Sequence, residues 1–142
     1  MIEQLNRQRV LKLLEAYSAG DFDTALEQCS DDIIHIASAP IDIFPHLGPR
    51  QGKAEVRKMW ETARSRYSGM RQEIKAILAE GDQVVMDLRV FLRKCSNDRI
   101  VQYDAAVFYT LQDGRVTRIR EIMDTFDLVQ QVLERDLSAL LA

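Results

Sequence analysis

The chain has 142 residues, with 19 Lys plus Arg against 22 Asp plus Glu, and a net charge of −3. That length suits one domain, and 46% hydrophobic with 29% charged residues is an ordinary globular composition, which excludes disordered chains and disulfide-stapled scaffolds. The slight acidity also excludes general nucleic-acid binding, which needs a dominant basic footprint.

The opening MIEQLNRQRV lacks the apolar stretch of a secretory signal. No run approaches the ~18 apolar residues of a membrane span, so no membrane partner is expected and the cytoplasm is the expected compartment. From Asn6, apolar Val10, Leu11, Leu14 and Tyr17 fall at the spacing of an amphipathic helix that Gly20 closes. Asp21 is placed to cap a second helix carrying Phe22, Ala25 and Leu26, which the Ser30-Asp31-Asp32 cluster ends. Ile33 to Ala37 reads as a short strand, and a loop with Pro40, Pro45 and Pro49 follows. After Gly52, the positions of Val56, Met59, Trp60, Ala63 and Tyr67 predict a third helix. Four strands fill most of the second half: Met70–Ala79, Gln83–Arg93, Arg99–Leu111 and Arg115–Phe126. The turns between them are Glu80-Gly81-Asp82, Ser96-Asn97-Asp98 and Gln112-Asp113-Gly114, which makes an antiparallel meander. Asp127 then caps a final helix with Val129, Val132, Leu133, Leu137, Leu140 and Leu141 on one side. Cys29 and Cys95 are too few and too far apart for a metal or disulfide framework.

This order predicts an α+β fold: a cone-shaped, curved antiparallel sheet covered by three helices from the N-terminal half, plus a C-terminal helix. A strongly bent sheet closed by helices leaves room for a cavity. The segments LLEAYSAGDFDTALEQCSDDIIHIASAP, GPRQGKAEVRKMW, AEGDQVVMDLRV and FYTLQDGRVTRIREIMDTFDLVQQ resemble the SnoaL-like branch of the nuclear transport factor 2-like superfamily. Ketosteroid isomerase and limonene-epoxide hydrolase also belong to that superfamily. The resemblance runs over roughly residues 6–133 and implies this fold; its members include isomerases, cyclases, hydrolases and non-catalytic domains.

No nucleotide loop, metal-ligand spacing or nucleophile elbow is present, which leaves acid/base chemistry in an apolar cavity. Asp124 ends an apolar stretch with Ile122, Met123 and Phe126, and an apolar surround would raise a carboxylate into the range useful for proton abstraction. By resemblance, in the context of Arg120 and Glu121, it matches the acid/base aspartate of SnoaL-like cyclases and limonene-epoxide hydrolase; its other reading is a helix cap. His35 interrupts Ile33-Ile34-His35-Ile36, either as a water-holding or polarising group or as a hydrogen-bonded core histidine. The resemblance places His35 and Ala37 inside the cone. In ketosteroid isomerase the position of Ala37 carries the base, which this chain lacks. Asp87 and Arg89 share one sheet face. If concave, they resemble in reversed order the Arg/Asp pair of limonene-epoxide hydrolase; if convex, they form a surface or interface pair. Asp104 beside Tyr103 poses the same parity question. Trp60, Tyr17, Met59 and Phe126 are candidate pocket wall, and His46 lies in the proline loop.

These observations predict a pocket for a hydrophobic small molecule and an enzyme without cofactor. Asp124 is the expected acid/base, His35 its polarising partner and Arg120 an electrostatic support, acting on a carbonyl or enol compound by isomerase- or cyclase-type chemistry. Water addition like that of limonene-epoxide hydrolase, and a non-catalytic ligand-binding or dimerisation domain, are the alternatives. The near-continuous apolar run Ala105-Ala106-Val107-Phe108-Tyr109 predicts a homodimer through the sheets.

Overall fold

Gly20, at φ 78°, takes the left-handed backbone that ends a first helix, α1 (Ile2–Ala19). The Asp21 side chain accepts from the Thr24 amide and starts α2 (Phe22–Glu27). The computed structural model describes residues 1–138. The remaining elements are β1 (Cys29–Ala37), a 3-10 turn at Pro45–Leu47, β2 (Arg50–Gln51), α3 (Lys53–Arg66), β3 (Tyr67–Glu80), β4 (Gln83–Lys94), β5 (Ile100–Gln112), β6 (Arg115–Met123) and α4 (Thr125–Leu133).

The α+β fold is as the sequence predicts, with local differences. The Ser30-Asp31-Asp32 cluster lies within β1 rather than ending a helix. Tyr67 is extended and opens β3, so α3 stops one residue short of it. The last strand ends at Met123, and Asp124 rather than Asp127 caps α4, its carboxylate accepting from the Asp127 amide at 3.2 Å. Leu137, expected on the final helix, lies beyond its end at Leu133, and Leu140 and Leu141, expected there too, lie outside the described residues.

The sheet is a six-stranded mixed one, ordered β2-β1-β6-β5-β4-β3, and stays open rather than closing into a barrel. Strands β3 to β6 form the expected antiparallel meander, while β1 joins it parallel to β6, with His35 opposite Ile119 and Ala37 opposite Glu121. That pairing makes the sheet mixed where an antiparallel one was expected. It is non-local, and strand periodicity says nothing about a partner some 85 residues away. Bulges interrupt the meander at Tyr67/Gly69, Ile74/Ala76 and Thr110/Leu111, and each adds local twist that bends the sheet.

The bulge in β6 decides what faces inward. Leu111 pairs with Val116 and Thr110 with Arg118, which leaves Thr117 as the extra residue, its hydroxyl donating to the Thr110 carbonyl at 3.2 Å. Val116 is buried, and simple alternation from it would turn Arg120, Ile122 and Asp124 inward. The extra residue reverses the parity, so Ile119, Glu121 and Met123 point in while Arg118, Arg120 and Ile122 point out.

On the concave face, Val84, Met86, Leu88, Val90 and Leu92 of β4 and the alternate residues from Val101 to Leu111 of β5 are buried. α1 packs over β3 and β4, and α3 over β1 and β3. Their buried Val10, Leu13, Leu14, Val56 and Trp60 complete the core. Among the described residues no helix is long and apolar enough to cross a membrane.

Candidate active site

Where the curved sheet diverges from α1 and α3, the side chains leave a cavity of about 90 Å³. Its wall is largely apolar, with Leu14, Met59, Leu88, Val90, Val107, Ile119, Met123 and Leu128 among the contributors. Into this wall are set a few polar groups: Tyr17 of α1, His35 of β1, Gln72 of β3, Tyr103 and Tyr109 of β5, and Glu121 of β6. His46, from the 3-10 turn, lies at the same wall with its ring edge-on to Phe44. Phe44, His46 and Leu47 of the proline loop thus line the cavity, while Ile41, Asp42 and Ile43 beside them are exposed.

Glu121 is the cavity's carboxylate. Burial pushes it up to about 7, because the charged form loses water and no hydrogen-bond donor among the described residues replaces it. Burial, and then the charge of Glu121, hold the phenols of Tyr17, Tyr103 and Tyr109 well above their usual range. These three are therefore neutral O–H groups across the whole neutral range, within electrostatic reach of one carboxylate. Such a group, half ionised near neutral pH, is suited to taking and returning a proton.

His35 is 7% exposed, and its Nδ1 accepts from Trp60 Nε1 at 3.0 Å. Burial pushes its imidazolium down to about 4, so the ring is neutral at physiological pH. Trp60 in turn is held edge-on to Tyr17, with centroids 5.3 Å apart, and against Phe22 at 5.7 Å. α3 and β1 supply the ring pair, and α1 supplies the tyrosine that braces it.

Residues 10–119 match the family described as the SnoaL-like domain. The chain belongs to the SnoaL-like family. Solved structures of the wider nuclear transport factor 2-like group share its fold. A candidate isomerase from Rhodopseudomonas palustris is 29% identical, with TM-score 0.80 over 92% of this chain and 97% of that one. A nuclear transport factor 2-like protein from Burkholderia xenovorans is 25% identical, with TM-score 0.75 over 90% and 95%. An epoxide hydrolase of the limonene type from Mycobacterium tuberculosis is 22% identical, with TM-score 0.78 over 99% and 98%. No curated protein matches significantly.

Within this SnoaL-like domain the residues singled out from the sequence separate into two groups. Tyr17, His35, Met59 and Trp60 line the cavity together. Asp124 does not: it is exposed at the start of α4, engaged in capping. Arg120 is exposed on the convex face, one residue out of phase with Glu121. Phe126 is 44% exposed on α4 and lies outside the cavity wall. Asp87 and Arg89 face the convex side of β4, where Arg89 pairs with Asp104 at 3.2 Å and Lys75 joins the same carboxylate at 2.8 Å. Tyr103 and Asp104 divide as neighbours on a strand must, the phenol inward and the carboxylate outward. Sequence reasoning passed over Glu121, Gln72 and Tyr109. Glu121 stood inside the REIMD segment, and only the register shift at Thr117 gives it away.

Proposed function

We propose that this SnoaL-like protein is a cofactor-independent acid/base enzyme that moves a proton on a hydrophobic carbonyl or enol compound, in isomerase- or cyclase-type chemistry. The observation that carries this reading is Glu121, a carboxylate without a donor in an apolar cavity, raised to about 7. The base role assigned to Asp124 passes to Glu121. In the ionised form it takes the proton from a carbon beside the carbonyl, and in the protonated form it returns one to the same or a conjugated position. The apolar wall holds the hydrocarbon body, and the phenols of Tyr17, Tyr103 and Tyr109 offer neutral donors where negative charge would develop on oxygen. Kinship with a candidate isomerase agrees with this chemistry. Water addition of the epoxide-hydrolase type is less well supported, since the Asp87/Arg89 pair offered for it faces away from the cavity.

The test uses 2-indanone, a small hydrophobic ketone, in deuterated buffer at neutral pH, with proton NMR following loss of the hydrogens beside the carbonyl. The expected result is exchange accelerated by the wild type and reduced at least about a hundredfold by Glu121→Gln, with ketone binding retained. Binding without accelerated exchange in the wild type would favour the non-catalytic ligand-binding reading.

A further inference from the structure

The Trp60–His35 pair contains more chemical information than a wall contact. An indole nitrogen is a donor only, so the 3.0 Å bond fixes His35 Nδ1 as the acceptor. A neutral imidazole that accepts at Nδ1 carries its proton on Nε2. That nitrogen belongs to a ring that lines the cavity, is buried, and has no partner among the described residues. Buried donors in native proteins are nearly always satisfied, so one that is not calls for an occupant. Trp60 is clamped by Tyr17 and Phe22, so aromatic packing holds the ring pair in place.

We propose that Trp60 locks His35 in the tautomer with its proton on Nε2, and that this N–H is the donor for a ligand's carbonyl or enolate oxygen. Trp60 is then a positioning residue, acting through His35. The tautomer follows from the ring pair alone; the kind of oxygen rests on the function proposed above. The two groups divide the work. Glu121 removes the proton beside the carbonyl, the C–H electron pair becomes a carbon–carbon double bond, and the carbonyl π pair moves onto the oxygen held by His35. Return of the proton from Glu121 to carbon reverses the flow. A neutral donor stabilises that oxygen without surrendering its own proton, and it makes the site selective for ligands that carry an acceptor.

Two measurements test the proposal. Long-range proton–nitrogen NMR of the ring-labelled wild type should show His35 protonated at Nε2 and not at Nδ1, and the Nε2 proton should move downfield on addition of 2-indanone. In Trp60→Phe, if the variant folds, the tautomers should mix. Binding of 2-indanone should exceed that of 2-methyleneindane, the same shape with CH2 for oxygen, by about tenfold in the wild type. In His35→Leu the ratio should fall to about threefold or less. A proton on Nδ1 in the wild type, an Nε2 proton indifferent to the ketone, or equal binding of the two probes would each overturn the proposal. The exchange assay with Glu121→Gln reads separately: a wild type that binds the ketone through Nε2 yet exchanges nothing removes the proposed enzyme and leaves the donor in place.

Discussion

Glu121 and His35 share one cavity, and burial shifts their protonation in opposite directions. The His35 imidazolium falls from 6.5 to about 4, so between those values the folded protein binds fewer protons than the unfolded chain, and stability rises with pH. The Glu121 carboxylate climbs from 4.5 to about 7, so over that window the folded protein binds more protons and stability falls as pH rises. Each shift corresponds to about 3 kcal/mol, and the two slopes largely cancel in the wild type. Glu121→Gln removes one of them. The stability of Glu121→Gln minus that of the wild type should therefore climb by about 3 kcal/mol from pH 4.5 to 7 and level off above. Urea midpoints measured across that range check it, and a flat difference would place Glu121 in a solvated setting incompatible with a neutral-pH base.

At the level of elements, Asp124 and Thr117 show where local and non-local information part. Asp124 caps α4 through the Asp127 amide. Asp124→Ala should cost about 1 kcal/mol of stability, Asp124→Asn much less because asparagine caps equally well, and both should exchange 2-indanone hydrogens at the wild-type rate. Denaturation and the exchange assay together check this; a loss of exchange in Asp124→Asn would return that residue to the reaction. The helices, the four meander strands and their turns were legible because caps and turns are local. Gly81, at φ 57°, and the Asp113-Gly114 turn announce themselves by residue type. The cavity contacts of Tyr17, Met59 and Trp60 were legible from apolar periodicity, and that of His35 from the family resemblance. The parallel pairing of β1 with β6 was not, since it depends on chain segments far apart. Nor was Glu121, because one inserted residue in β6 exchanges the two faces of everything that follows it. Alternation read without that insertion puts Arg120 and Asp124 where Glu121 in fact stands.

For the whole molecule, the unresolved demand is the convex face of the sheet. Leu78, Val85 and Phe108 lie opposite one another across β3, β4 and β5, where Arg120 of β6 faces Phe108, and one step along the strands Ala106 lies between Ile122 of β6 and Asp87 of β4. Leu78 is 69% exposed and Ile122 38%, while Val85 and Phe108 are half-buried. Beside this apolar row runs the Lys75–Asp104–Arg89 network, and Arg71 lies over the Phe91 ring at 4.1 Å. Large apolar side chains left exposed among charges on one sheet face suit an interface better than a solvated surface. We propose that a second copy covers it, the homodimer the sequence led us to expect. Light scattering at micromolar concentration should then give about twice the chain's 16.3 kDa. Phe108→Glu should give a folded monomer, because the side chain points away from the cavity and the core beneath it is untouched. A wild-type species of 16.3 kDa would overturn the dimer without disturbing the fold. A Phe108→Glu dimer would move the interface elsewhere, onto surfaces such as the exposed Phe126 and Leu133 of α4. Since Glu121 and His35 face the other side of the sheet, the monomeric variant should still exchange 2-indanone hydrogens, which separates assembly from chemistry in a single sample.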